Sequence, residues 1–261
     1  MNQTGSGQVT DSARRGVGPL ISPLAESQRP LRQQVFELVR AAGQIPRVQL
    51  AKELGVSPAS VTTIAAELIE AGLIEEVSAA RDEDAGRGRP AVALGVRAGV
   101  HRVAGMKLSD REHTAVIVDF AGRLIADDVI PRTPGPMAVG EILDAVETLL
   151  DRVCAKANVR REDLSAIGLG VPGFVDCLEG QVLWSSVLAE RNVPLAALAQ
   201  SRLGLPVSID NDANLVALAE LWFGAGRELS DFAVLTIEHG VGMGFVMNHR
   251  LYRGSQRVGM E

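Results

Sequence analysis

Two stretches of helical periodicity, separated by a very short link, dominate the first third of the chain. Residues 47–54 carry Val48, Leu50, Ala51 and Leu54 at helical spacing, and the stretch from Pro58 repeats the pattern with Val61, Ile64, Ala65 and Leu68. The link holds a glycine for the tight turn, Gly55, and a good N-cap, Ser57. Pro58 suits the first helical position, where its missing N–H would have had no partner. An earlier helix is marked by Leu31, Val35, Leu38 and Val39, with Gly43 placed to end it. After Gly72, residues 73–77 read as a strand, 78–90 as a polar loop holding Arg81, Arg87 and Arg89, and 91–96 as a second strand. Two strands around a basic loop make a wing. Helix, helix, turn, helix and wing are complete by residue 96.

This arrangement suits DNA. An α-helix fits the major groove of B-DNA, and the second helix of a helix-turn-helix lies there with its N-terminal residues at base edges. The face opposite Val61, Ile64 and Leu68 offers Ser60, Thr62, Thr63 and Glu67, and the helix N-terminus at Ser57 adds amides that favour phosphate. Arg47, opening the preceding helix, is a natural backbone contact. In the loop Gly86-Arg87-Gly88-Arg89-Pro90 the glycines let a narrow loop descend between phosphate walls, while arginines favour the negative potential of a narrow minor groove. The candidate DNA contacts are therefore Arg47, Ser57, Ser60, Thr62, Thr63, Arg87 and Arg89. The competing reading is a three-helix protein-interaction module with an exposed polar face, and the Gly/Arg wing argues for DNA.

Charge alone decides nothing here. The chain of 261 residues carries a net charge of -6, with 10 basic and 11 acidic side chains in residues 1–95 and 16 and 21 in the rest. Phosphate attraction must come from local clusters. No apolar run has the length of a membrane span, and the N-terminus lacks the basic start and apolar stretch of a signal peptide, so the reading is cytoplasmic with no membrane partner. Cys154 and Cys177 have no metal-ligand spacing and read as half-buried apolar residues. Residues 1–28, rich in Gly, Ser, Gln and Thr, read as a disordered tail.

Beyond Gly99 the pattern alternates. Strands are expected at 101–108, 114–119 and 124–130, a helix at 139–157, and a strand at 166–171 running into the turn Pro172-Gly173, with a second small turn at Gly180. A helix at 195–203, a strand at 206–209, a helix at 212–223 and strands at 232–237 and 242–248 complete an α/β domain. The organisation is a tail (1–28), a winged helix-turn-helix (29–96) and an α/β domain (97–261).

At these residues the chain resembles the ROK family of repressors, open reading frames and kinases. The resemblance runs from VQLAKELGVSPASVTTIAAELIEAGLIEE and GRGRP through Gly170-Val-Pro-Gly-Phe-Val-Asp176 and Ile209-Asp-Asn-Asp-Ala-Asn214 to Gly240-Val-Gly-Met-Gly244. It implies a partial actin-like ATPase (ribonuclease H-like) sugar-kinase domain, in which sugar and nucleotide meet in a cleft between two lobes. In the family's kinases an Asp-x-Gly-Gly-Thr loop holds phosphate, whereas this chain has Lys107-Leu-Ser-Asp-Arg111; a second loop, usually Gly-Thr-Gly-x-Gly, reads Glu238-His-Gly-Val-Gly242. A carboxylate beside triphosphate carries an electrostatic penalty, so the resemblance implies no ATP use and no catalytic residue. The kinases' base corresponds to Asp212, which without phosphate grips acts by accepting a sugar hydrogen bond. Gly173, Asn211, Asp212 and Glu261 are the implied ligand contacts. The plainer alternative is that Asn211 and Asp212 only cap the following helix. Ser186-Val187-Leu188 stands where the kinases have Pro-Asn-Leu. The glycine and histidine that follow Glu261 in the family, its cysteine-rich zinc site and the rest of the second lobe fall outside the chain, and no metal or other cofactor is expected.

The functional expectation is a transcriptional regulator, most simply a repressor of carbohydrate genes. Its partners would be a double-stranded DNA operator, a small-molecule sugar or sugar-derivative effector and a second copy of the chain. A sugar kinase with an appended DNA-binding domain is the enzyme alternative. A regulator that binds DNA but senses nothing is the third.

Overall fold

A computed structural model of the protein describes residues 16–20, 29–78, 92–237 and 240–253. The chain divides into two compact units, 1–97 and 98–261.

In the first unit α1 (Leu31–Ala42), α2 (Arg47–Leu54) and α3 (Pro58–Glu70) pack with a three-stranded antiparallel sheet. Its strands are β1 (Gln44–Pro46), β2 (Ile74–Ser78) and β3 (Val92–Val96), in the order β1-β3-β2. The turn expected between α2 and α3 forms for the expected reasons. Gly55 adopts a left-handed φ of 65°, and the Ser57 Oγ accepts the Ser60 N–H at 3.1 Å with Pro58 in the first turn. Val35, Val39, Ile45, Leu50, Val61, Leu68, Ile74 and Leu94 are buried together, so each element gives one stripe to a single small core. Val48, one of the apolar positions expected on α2, is 77% exposed. Strand β1, which carries no periodic signal, is recruited by pairing with β3. Residues 16–20 lie in the stretch expected to lack structure, yet Val17 exchanges hydrogen bonds with Arg40: its N–H donates to the Arg40 carbonyl at 2.9 Å, and the Arg40 Nε donates back at 3.1 Å.

The second unit is built on a five-stranded sheet in the order β10-β7-β4-β5-β6, from β4 (Arg102–Lys107), β5 (Glu112–Asp119), β6 (Leu124–Pro131), β7 (Ala166–Val171) and β10 (Val207–Asn211). Strands β4, β7 and β10 run parallel, and β5 and β6 return antiparallel as a meander. Ala104, Met106, Leu108, Ile167, Leu169 and Ile209 bury one face of this sheet against α4 (Val139–Ala157) and α5 (Leu195–Leu203). The alternate residues Gly105, Lys107, Gly168 and Gly170 belong to the opposite face, where α6 (Asp212–Phe223) approaches; a Cβ on Gly170 would lie 2.8 Å from the Leu215 side chain. A hairpin absent from the sequence reading, β8 (Phe174–Asp176) and β9 (Gln181–Trp184), follows β7.

A further antiparallel sheet, β11 (Phe232–Ile237), β12 (Val241–Met247) and β13 (Arg250–Tyr252), packs on the other side of α6. The glycines of β12 make that packing possible. A Cβ on Gly244 would meet the Ala213 carbonyl at 2.6 Å and the Ala217 Cβ at 2.7 Å. No helix among the described residues is long and apolar enough to cross a membrane.

One buried charge ties β6 to α4. The Asp128 carboxylate, 5% exposed, accepts Arg152 Nε at 2.7 Å and Lys156 Nζ at 2.6 Å. These cations, Lys156 first, hold its pKa down to about 2. A depressed carboxylate pKa contributes stability that is complete above the ordinary value near 4 and is lost as pH falls toward 2. Replacing Asp128 with Asn removes that contribution. Urea midpoints measured across this range should fall less steeply with acidification in D128N than in wild type; equal slopes would exclude Asp128 as a source of acid lability.

Candidate functional site

In the first unit the expected contacts gather on α3, whose polar side chains are already engaged. The Ser57 and Ser60 hydroxyls lie 2.8 Å apart. Thr62 Oγ1 donates to the Pro58 carbonyl at 2.9 Å and Thr63 Oγ1 to the Ala59 carbonyl at 3.2 Å. Thr62 and Thr63 are exposed, Ser57 is exposed and Ser60 half-buried. Arg47, expected to face phosphate, donates through Nη2 to Glu76 Oε1 of the wing strand β2 at 2.6 Å. Any phosphate contact by Arg47 must compete with that carboxylate. Arg87 and Arg89 lie outside the described residues.

In the second unit the parallel strands β4, β7 and β10 end together, and the crevice beyond such strand ends is where open α/β sheets bind ligands. Lys107 stands in register with Gly170, and Gly170 in register with Asp210, so all three share the α6 side of the sheet. Asn211 and Asp212 follow at the junction with α6. Asn211 is fully buried and bridges three pieces of chain. Its Oδ1 accepts the N–H groups of Ala213 at 2.9 Å and Asn214 at 3.2 Å, while its Nδ2 donates to the Gly173 carbonyl at 2.9 Å. Asn211 thus caps α6. Asp212 is half-buried, and its Oδ1 accepts its neighbour's N–H at 3.0 Å.

Gly173 is required by geometry as well as by position. Its φ is 110°, and a Cβ there would lie 2.3 Å from the Trp184 carbonyl oxygen and 2.9 Å from the Ser185 Cα. The backbone of the β7–β8 turn therefore rests directly on the segment after β9. That segment, Ser185-Ser186-Val187-Leu188, has Ser185 buried with its Oγ accepting the Val187 N–H at 3.2 Å.

Sequence reading passed over Asp210. Only 6% exposed, it accepts the Asn211 N–H at 2.8 Å and Asn214 Nδ2 at 3.0 Å through Oδ1, and Arg253 Nη2 at 2.7 Å through Oδ2. It joins the β10–α6 corner to the end of β13 in the other sheet. The Asp210/Asn214 spacing, one helical turn across the strand-to-helix corner, was the available signal.

The β4–β5 turn, where the family's kinases carry their first phosphate loop, is closed on itself. The Ser109 N–H is taken by His113 Nδ1 at 3.3 Å, and Arg132 Nη1 donates to the Ser109 carbonyl at 3.0 Å. The Asp110 carboxylate accepts the Gly135 N–H at 2.9 Å. Burial, followed by the nearby Arg132 charge, lowers the His113 pKa to about 4, so it stays neutral at physiological pH. A phosphate grip needs backbone amides free to converge on an anion, and this turn spends the Ser109 amide internally. Glu238 of the second loop and Glu261 lie outside the described residues. Among the described residues no group of His, Cys, Asp or Glu is arranged to hold a metal ion.

A three-helix unit with a small antiparallel sheet followed by a mixed five-stranded sheet flanked by helices defines a two-unit chain of helix-turn-helix and α/β architecture. A winged helix-turn-helix DNA-binding model matches residues 28–75, and the ROK family model matches residues 103–261. The chain belongs to the ROK family. It is 31% identical over 215 residues to the xylose repressor of Caldicellulosiruptor bescii, covering 81% of this chain and 52% of that protein. Against the DNA-binding transcriptional dual regulator NagC of Escherichia coli K12 it is 28% identical, covering 84% and 53%. The chain spans about half the length of the curated relatives it matches. Among solved structures, a ROK family transcriptional regulator homologous to E. coli Mlc superposes with a TM-score of 0.67 at 28% identity, covering 88% of this chain and 57% of that one. A ROK family glucokinase from Streptomyces griseus, in complex with glucose and AMPPNP, superposes with a TM-score of 0.54 at 30% identity over 61% of this chain and 48% of that one.

Gly173→Ala tests the close packing of the β7–β8 turn. Left-handed backbone and backbone overlap together should destabilise the second unit by about 1–3 kcal/mol or more. Chemical denaturation followed by the fluorescence of Trp184, which lies at the overlap, measures it. A neutral substitution would mean that the turn is not as closely packed as these distances require.

Proposed function

We propose that this chain is the DNA-binding and effector-sensing portion of a cytoplasmic transcriptional repressor of carbohydrate genes, and that its kinase-type unit binds a sugar or sugar derivative without phosphorylating it. The observation that carries this reading is the coexistence of a winged helix with a sugar-kinase crevice whose β4–β5 turn is closed by His113 and Arg132. Repressors among the similar proteins support it, while the glucokinase likeness supports the sugar-binding half of the architecture. Lys107-Leu-Ser-Asp-Arg111 also lacks the leading aspartate and both glycines of the kinases' phosphate loop.

In this reading Asp212 accepts a hydrogen bond from a sugar hydroxyl, Asn211 and Gly173 shape the pocket wall, and Glu261 completes it. In the DNA-bound state Arg87 and Arg89 enter the minor groove, and two copies address a two-fold operator. Effector then acts by binding the DNA-free form more tightly than the DNA-bound form.

Three measurements on the full-length protein test this. Asp212→Ala should weaken effector binding about 10-fold to 150-fold, because hydrogen bonds to charged groups contribute about 1.5–3 kcal/mol, while operator affinity without effector stays near wild type. Normal effector response in D212A would remove Asp212 from the site. Sugar-dependent ADP release by the pure protein, abolished in D212N, would establish the kinase reading instead. On the DNA side, replacing Arg87 and Arg89 by alanine should reduce the log–log salt slope by about 0.9 for each arginine that contacts phosphate. An unchanged slope and affinity would take the wing out of the interface.

A further inference from the structure

We propose that α3 selects its DNA by packing methyl groups against the 5-methyl groups of thymine, with Thr62 and Thr63 acting through their γ-methyls and not through their hydroxyls. The inference rests on duplex DNA being the ligand of the winged-helix unit, and it concerns which bases that unit reads.

The exposed face of α3 is Ala59, Thr62, Thr63 and Ala66, spaced i, i+3, i+4 and i+7, so the four side chains form one continuous strip. The hydroxyl protons that would have contacted bases are spent. Thr62 donates to the Pro58 carbonyl and Thr63 to the Ala59 carbonyl, a pattern that turns each Oγ1 back onto the helix. Each hydroxyl keeps only its acceptor lone pairs, and the γ-methyl is the apolar group that each threonine adds to the strip. The serines beside the strip, Ser57 and Ser60, are paired with one another. The strip therefore presents four methyl groups.

Chemistry absent from the helix narrows the choice further. The sequence PASVTTIAAELIE contains no Arg or Lys for guanine O6 and N7, and no Asn or Gln for adenine N6 and N7. Glu67 and Glu70 continue the exposed face beyond Ala66. Their carboxylates repel phosphate, which leaves the N-terminal half of α3 as the part that enters the groove. Thymine is the one base that displays an apolar group in the major groove, and alanine and threonine methyls are its natural partners.

The experiment uses the full chain and a random-sequence duplex pool. Bound duplexes are recovered, and each thymine of the enriched sequence is then replaced in turn by deoxyuridine, which removes the 5-methyl and keeps the base pair. The minor groove, where the wing would bind, is left unaltered. Each contacted thymine should lose about fourfold in affinity, the fold-change that corresponds to roughly 0.8 kcal/mol for one buried methyl group. Thr62→Ser and Thr63→Ser delete the γ-methyl and keep the hydroxyl, so each should show the same loss on thymine DNA. Each should also show no further loss when its partner thymine becomes deoxyuridine, a coupling that a change in helix stability alone does not produce. Thr62→Val and Thr63→Val should retain both affinity and deoxyuridine sensitivity. Deoxyuridine without effect at every position would overturn the proposal, as would serine variants that bind like wild type while valine variants fail. A protein that retains no duplex from the pool would overturn the DNA reading together with it, whereas binding that ignores the methyl groups overturns this inference alone.

Discussion

The second unit depends on how the corner between β10 and α6 satisfies its buried polar groups. A strand that turns into a helix beneath a sheet leaves donors and acceptors with no regular partner, and each one left unpaired in the interior costs on the order of 1–3 kcal/mol. Asp210 and Asn211 absorb this cost on either side of the turn. Asn211 caps α6 and grips the Gly173 carbonyl, and Asp210 grips Asn214 and Arg253. Through these two residues the main sheet, the β8–β9 hairpin, α6 and the second sheet share one junction. Groups held by such a junction inherit its rigidity, and Asp212 stands directly beside it at the start of α6.

The first unit works on a different constraint. Its core is small, and the exposed strip of α3 is set by the Gly55 turn, the Ser57 cap and the packing of Val61, Ala65 and Leu68 into that core. Several groups that look available in sequence are spent locally: Arg47 on Glu76, and the two threonine hydroxyls on the helix backbone. Local satisfaction of this kind lowers the cost of presenting a polar helix to water, and it changes what the helix can say to DNA. The threonine protons are committed to the helix backbone, and the alanine and threonine methyls stand on its exposed face.

Most of the architecture was legible because it obeys period and punctuation. The ends of α2 and α3, the strand–helix alternation after Gly99 and the motif around Asn211 follow from glycine, proline, cap residues and apolar spacing. The failures share a cause. Val48 fits the helical pattern but faces solvent, because period alone does not say which of several apolar residues at the edge of a stripe the neighbours will cover. Strand β1 and the β8–β9 hairpin have no periodicity of their own and exist through pairing with distant segments. Residues 16–20 were read as tail from composition, yet Arg40 supplies a partner that composition cannot reveal.

Consecutive residues suffice for the local devices of this protein: where helices start and stop, which faces are apolar, and that α3 lacks every side chain that reads guanine or adenine bidentately. How the polar groups are shared out follows from the folded arrangement. It made Asp210 the partner of Arg253, turned Asn211 into a cap, put Glu76 beside Arg47, and closed the Ser109 turn with His113 and Arg132. The physical reason is range. Caps, turns and periodicity act over a few residues and are written in consecutive letters, whereas the pairing of a buried charge is settled by whichever group the fold brings within about 3 Å of it, however far away it lies in the chain.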